Sequence, residues 1–306
     1  MRSGVFYALA FGLLLTHPAH ADVTMHSKLD YKLASYLPPT AAEAMNKQMA
    51  DSLSNGVTLR IKGGRSITNS GPLQIITDRD KGTVTLLDSK TQRYATCPIA
   101  EYGDKFKSIM PEMPAEVKQM FENMKIDVNT SKTGKTGMVK NIKVEELVVA
   151  ITMEAQGPMA AMMNTKVEMH LWAATNDELE RLPALKEVAA YMARQATASD
   201  NFGSITKAFA QVPGFVDKLK PAVGEMIRAS SGAVLRTQTK MMMPGSAKMM
   251  GAPNPDEPFT DLTTDLLELS DAAIADSVFT VPAGYKSVPI EDLVQLMNPL
   301  RGQGQQ

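Results

Sequence analysis

The feature that most constrains this chain is a two-residue alternation repeated in short runs with turn chemistry between them. Val57, Leu59 and Ile61 alternate with Thr58, Arg60 and Lys62, and Gly63-Gly64 ends the run. Leu73 to Thr77, Thr83 to Leu87 and Gln92 to Thr96 follow, separated only by Asp78-Arg79-Asp80-Lys81-Gly82 and by Asp88-Ser89-Lys90-Thr91. Successive side chains of a strand point to opposite faces, so alternation of this kind makes a sheet with one apolar face. Connections this short join antiparallel neighbours, because a parallel crossover needs a dozen residues or more. The region predicts a meander of hairpins.

The same period recurs on either side. Met25, Ser27, Leu29, Tyr31 and Leu33 alternate with His26, Lys28, Asp30 and Lys32. Strands resume near Lys125 and, after a turn at Lys132-Thr133-Gly134-Lys135, the β-branched stretch Met138 to Glu154 reads as one long strand or two bent ones. Val167, Met169 and Leu171 alternate with Lys166, Glu168 and His170 ahead of Trp172. Leu235, Thr237, Thr239, Met241 and Met243 share a face, Thr260 to Leu269 forms a further strand, and Val278 to Tyr285 reads as a short strand and tight turn.

Helical spacing appears in blocks: Thr40 to Leu53, Glu101 to Met124 with breaks at Pro111 and Pro114, Asp177 to Arg228, and Glu291 to Met297. Residues 177–228 read as a helical insertion, Pro244 to Pro258 as a mobile loop, and residues 301–306 as a disordered tail. The expectation is an α+β fold over residues 22–300, a single domain. About ten strands form one large antiparallel sheet, covered on one side by helices and wet on the other.

At the N-terminus, Arg2, the apolar stretch Gly4 to Leu15 and Ala19-His20-Ala21 have the layout of a cleavable secretory signal over residues 1–21. The apolar stretch is too short to span a bilayer, which takes roughly 20 residues, and no later segment approaches that length. Asp22, not cysteine, follows the cleavage position, which excludes lipidation there. The expected product is soluble and exported, with the periplasm as its compartment. Cys97 is the only cysteine, so no internal disulfide can form, and its place beside Pro98 at a strand end reads as a buried, inert thiol. Net charge is -1, about -2 without Arg2, which gives no reason to expect nucleic acid or an anionic membrane as partner.

Several segments together resemble periplasmic domains of the LolA-like outer-membrane lipoprotein carrier group. They are Leu59-Arg60-Ile61-Lys62-Gly63 with Arg65, Ile75-Ile76-Thr77-Asp78 to Gly82-Thr83-Val84 with Leu87-Asp88 and Arg93-Tyr94, Leu171-Trp172, and Ser277 to Tyr285. The resemblance implies a strongly curved, half-barrel sheet wrapped over helices with an apolar cavity between, of the kind the carriers use to hold acyl chains.

Catalytic constellations are sparse. Beyond residue 21 the only histidines are His26 and His170, each on the polar face of a predicted strand and without a metal-ligand neighbour two or four residues on. Both read as satisfied surface histidines. Gly63-Gly64 and Gly134-Lys135-Thr136-Gly137 lack phosphate-loop spacing and read as turns. Glu145 and Glu146 are adjacent on a strand and cannot converge on a substrate.

The chain thus reads as non-catalytic, with no cofactor, holding a lipid or other hydrophobic small molecule against Leu59, Ile61, Met169, Leu171, Met241 and Met243. Methionine is abundant, at 22 residues, which leaves two alternatives. Thioethers of Met241, Met243, Met249 and Met250, or of Met159, Met162 and Met163, suit Cu(I), and the same side chains suit an adaptable apolar surface. A third reading is an envelope structural or interaction protein that docks through a sheet edge or the helical insertion.

Overall fold

The computed structural model describes residues 22–53, 55–108, 115, 119, 123–155, 164–197 and 232–294. Residues 1–21, expected as a signal segment, the part of the expected insertion beyond residue 197, the methionines Met159, Met162 and Met163, and residues 301–306, expected as a tail, lie outside the described residues.

One 12-stranded sheet runs through the described residues. Its strands in chain order are β1 (Val23–Leu33), β2 (Val57–Lys62), β3 (Arg65–Ser70), β4 (Leu73–Asp78), β5 (Thr83–Asp88), β6 (Arg93–Pro98), β7 (Lys125–Val139), β8 (Ile142–Glu154), β9 (Thr165–Ala174), β10 (Val234–Met242), β11 (Thr260–Ser270) and β12 (Lys286–Ser287). Across the sheet the order is β12-β6-β5-β4-β3-β2-β1-β11-β10-β9-β8-β7. Every neighbouring pair is antiparallel except β12 with β6, so the sheet is open and mixed only at that edge. The helices are α1 (Pro39–Leu53), α2 (Ile99–Ser108), α3 (Asn176–Arg181), α4 (Pro183–Thr197), α5 (Pro244–Met249) and α6 (Ile290–Val294). No helix among the described residues is long and apolar enough to cross a membrane.

The strand count exceeds the sequence expectation because Arg65–Ser70 is a full strand. Gly63, with φ +57, turns the chain back on itself, and Lys62 then faces Arg65 in register. The β7–β8 turn also moves. It falls at Lys140-Asn141, both with positive φ (47° and 63°), the geometry of a two-residue hairpin turn matched to strand twist. Residues 132–136, expected to turn, form instead a register shift within β7 opposite Glu145 to Leu147.

Two helical groups share one face of the sheet. Pro183 opens α4 at a position where its missing N–H is harmless, and Ala184, Leu185, Val188, Tyr191 and Met192 recur along one stripe. That stripe packs on Val23, Met25, Leu59, Ile61, Leu266 and Leu269. Leu266 and Leu269 are three apart in sequence, which strict alternation would split between faces. A bulge opposite His26 and Ser27 absorbs the extra residue, so Ser27 pairs with Leu266 and Met25 with Leu269. Farther along the same face, α2 and α6 cover Val84, Leu86, Ala95 and Cys97 with Tyr102, Ile290, Leu293 and Val294.

The expected wet face is dry over β3 to β6. Ile67, Ile76 and Leu87 point away from the helices and are buried beneath Ile274 and Phe279, with Val278, Val281 and Tyr285 packed around them. The segment over Val278 to Tyr285 is therefore not a strand. Asp276–Phe279 is a 3-10 turn, which lets adjacent Val278 and Phe279 reach the same cluster, as strand geometry would not.

An ionic strap fixes this cover. Lys62 Nζ donates to the Ile274 carbonyl at 2.6 Å, Asp22 accepts from the Ile274 N–H at 2.7 Å, and Arg65 pairs with Asp276 at 2.7 Å while lying 5.0 Å from the Phe279 ring centroid. The loop expected over Pro244 to Pro258 also gains structure, since Pro244 takes the first turn of α5 and Ala247 there is fully buried.

Candidate functional site

Where α4 crosses β1, its contact with the sheet is incomplete and a groove of about 370 Å3 remains. Its floor is built by register: Met25 pairs with Leu59, Leu59 with Thr68, Ser27 with Val57, and Leu29 with Thr264. Tyr191 and Met192 of α4 form the wall. Among the described residues that line it, none is charged. The size lies at the lower end of small-molecule pockets, and the lining is mostly apolar with a few hydroxyls.

The floor depends on a close approach. Gly56, with φ +66, lies against β1 so tightly that a Cβ there would sit 2.2 Å from the Ser27 carbonyl oxygen. Only glycine meets both demands. Ser27 itself is 3% exposed, and its Oγ has no hydrogen-bond partner among the described residues.

The expected ligand residues separate into four groups. Leu59 lines the groove, whereas Ile61, fully buried one row along, packs beneath α4 in filled core. Leu171 and Met169 lie on the groove's side of the sheet, in the rows that run through Thr237 and Thr239 of β10 to β11. Met241 pairs with Thr260 at the far end of β10, and Met243 lies past the strand as the residue preceding α5. Met249 and Met250 are exposed, at 66% and 41%. Sequence reasoning placed Ser27 on the apolar face without marking it, and missed Tyr191 and Met192. Their only signal was the α4 stripe.

A second constellation, around Glu146, sits on the opposite face, whereas a larger cleft of about 540 Å3 is lined mainly by Lys132, Glu145, Leu147 and Ala173 on the groove's side of the sheet. Glu146 is buried, whereas Glu145 beside it points to solvent, as their adjacency requires. Thr133 Oγ1 donates to Glu146 Oε2 at 2.7 Å, Lys135 Nζ lies 3.2 Å from the same oxygen, and His170 Nδ1 meets Oε1 at 2.8 Å. His170 Nε2 meets Glu168 at 2.5 Å. His170 is therefore a half-buried cross-strand tie and not the surface residue expected.

Burial works to raise the Glu146 carboxyl, but the hydrogen bonds from Thr133, His170 and Lys135 outweigh it and bring it down to about 2. A carboxylate that weakly basic is a poor proton acceptor near neutral pH, and both His170 nitrogens already face carboxylates. The cluster binds strands together. His26 likewise bonds Thr58 at 2.9 Å, and Cys97 is buried, with its thiol pushed up by burial. No group of three histidine, cysteine or acidic side chains fit to hold a metal occurs among the described residues.

No family model matches the chain. No curated protein matches it either. Among solved structures that do, PNGF-II in a C2 crystal form aligns at 5% identity with a TM-score of 0.33, over 90% of this chain and 33% of that one. The chain thus spans about a third of that protein's length, and a likeness at this level carries no argument.

Proposed function

We propose that this chain is an exported, non-catalytic binding protein of the LolA-like group, delivered to the periplasm by residues 1–21, that holds a lipid or other hydrophobic molecule between its sheet and α4. The observation that carries the reading is the groove of Met25, Leu29, Val57, Leu59 and Met192, apolar and without a charged lining residue among those described. Methionine supports it, because an unbranched thioether adapts to varied apolar surfaces. Met169, partly exposed on the same side of the sheet, extends the apolar surface available to a longer ligand. Organic extraction and native mass spectrometry of protein purified without detergent should recover a bound lipophile. Protein that carries none, and fails to take up an added fluorescent hydrophobic probe, would refute the proposal.

A second reading rests on a separate observation. Met249 and Met250 face solvent, where thioethers are accessible to Cu(I), with Met241 and Met243 as further ligands. Cu(I) titration under reducing conditions tests it, and affinity unchanged when all four are leucine rejects it.

A further inference from the structure

We infer that the bond between Ala21 and Asp22 is a processing site open only while the chain is unfolded, so that removal of residues 1–21 precedes closure of the sheet. The inference rests on the proposed export of the chain and adds the order of cleavage and folding.

Ala19-His20-Ala21 sets the expected cleavage immediately before Asp22, and β1 begins at the next residue, Val23. Val23 is fully buried in the core beneath α4 and pairs with Ile61, while Thr24 pairs with Arg60 on one side and Ser270 on the other. Asp22 is held as well. Its carboxylate accepts the Ile274 N–H at 2.7 Å and lies 3.6 Å from Lys62 Nζ. The residues just after the expected cut are thus fixed by backbone pairing, by core packing and by an ionic contact. Nor is β1 an edge strand that could peel away, since β2 and β11 flank it.

An endopeptidase takes its substrate as an extended segment with residues on both sides of the scissile bond, and it cuts folded structure through transient opening. Opening here must release Asp22 from Ile274 and lift Val23 out of the core of a central strand. That is costlier than the fraying of a free terminus. Hydrolysis consumes one water and leaves a carboxylate on Ala21 and an ammonium on Asp22. The topology supplies the interval in which this can happen, because β11, the partner of β1, lies near the other end of the chain. A chain emerging from its N-terminus presents the bond long before β1 can close the sheet.

The test uses the full precursor, residues 1–306, and a second precursor with a flexible spacer of about ten glycine and serine residues between Ala21 and Asp22. Each is offered to a signal peptidase in detergent, either diluted from urea directly into the enzyme or refolded beforehand. Protection of Cys97 from a thiol reagent checks the refolding, and mass spectrometry of the product reads the cut. The parent precursor added from urea should be cut after Ala21, and the refolded one at least about 100-fold more slowly, whereas the spacer precursor should be cut at similar rates in both states. A parent precursor that refolds only after residues 1–21 are removed would give the same order of events. Cleavage of the refolded parent within a few-fold of the unfolded rate, or a spacer that restores no cleavage, would overturn the inference while leaving export intact. Absence of a cut after Ala21 in every precursor, spacer and urea-diluted alike, would overturn the export reading itself.

Discussion

Replacing Glu146 with glutamine should remove a pH-dependent contribution to stability whose size follows from its surroundings. The side chain is 3% exposed and is held by Thr133, His170 and Lys135, which bring its carboxyl from the ordinary 4.5 down to about 2. At about 1.4 kcal/mol per pH unit, that difference corresponds to roughly 3 kcal/mol. The folded carboxyl is the more acidic, so the contribution is complete above about pH 4.5 and is lost as pH falls through about 2. Glu146→Gln should therefore be less stable by about 3 kcal/mol at pH 7, and the gap should close between pH 4.5 and 2. Urea unfolding at a series of pH values measures it, followed by fluorescence of Trp172, the sole tryptophan and the cross-strand partner of Glu146. Parallel stability profiles for the two proteins across that range would refute the reasoning.

Gly56→Ala and Gly82→Ala make a matched pair, since both glycines have φ +66 but only Gly56 abuts backbone. Gly82→Ala should lose about 1–2 kcal/mol from the left-handed conformation alone and Gly56→Ala distinctly more, so equal losses in chemical denaturation would contradict the close approach to Ser27. Phe279→Ala should cost about 3–5 kcal/mol, because the residue is 7% exposed over Ile67, Ile76 and Leu87, and a loss near zero would restore a wet face there. Cys97 should resist a thiol reagent at pH 8 in the folded protein and react once unfolded, and rapid labelling without denaturant would contradict its burial.

Much of the sheet was legible in the sequence because alternation is a local signal. The residues of β1, β2, β4, β5 and β6 appear at or within a residue or two of their expected places, since a strand with one core face writes its period directly. Arg65–Ser70 escaped because its helix-side residues, Ser66 and Thr68, are polar, and its one strong apolar residue, Ile67, faces the other way. The Lys140-Asn141 turn escaped for the opposite reason: Gly134 and its neighbours advertise a turn, whereas a lysine in the left-handed region does not. The cover formed by Ile274 and Phe279 depends on contacts with residues some two hundred positions away, which no local period encodes. For the groove, Leu59 was legible as an apolar strand residue, but its wall required knowing which part of the sheet α4 crosses.

The strand order has a consequence for how the molecule assembles. β2 to β6 pair with their sequence neighbours, as do β7 to β9, so each block can form through short loops. β1 joins the blocks by pairing with β11, Thr24 opposite Ser270, across most of the chain length. Closing a loop of that size is entropically costly and slow, which makes this junction the late step in folding. Met25, Ser27 and Leu29 stand on one side of the junction and Thr264 on the other. A ligand bound there, as proposed, would touch both sides of the junction and stabilise it by mass action.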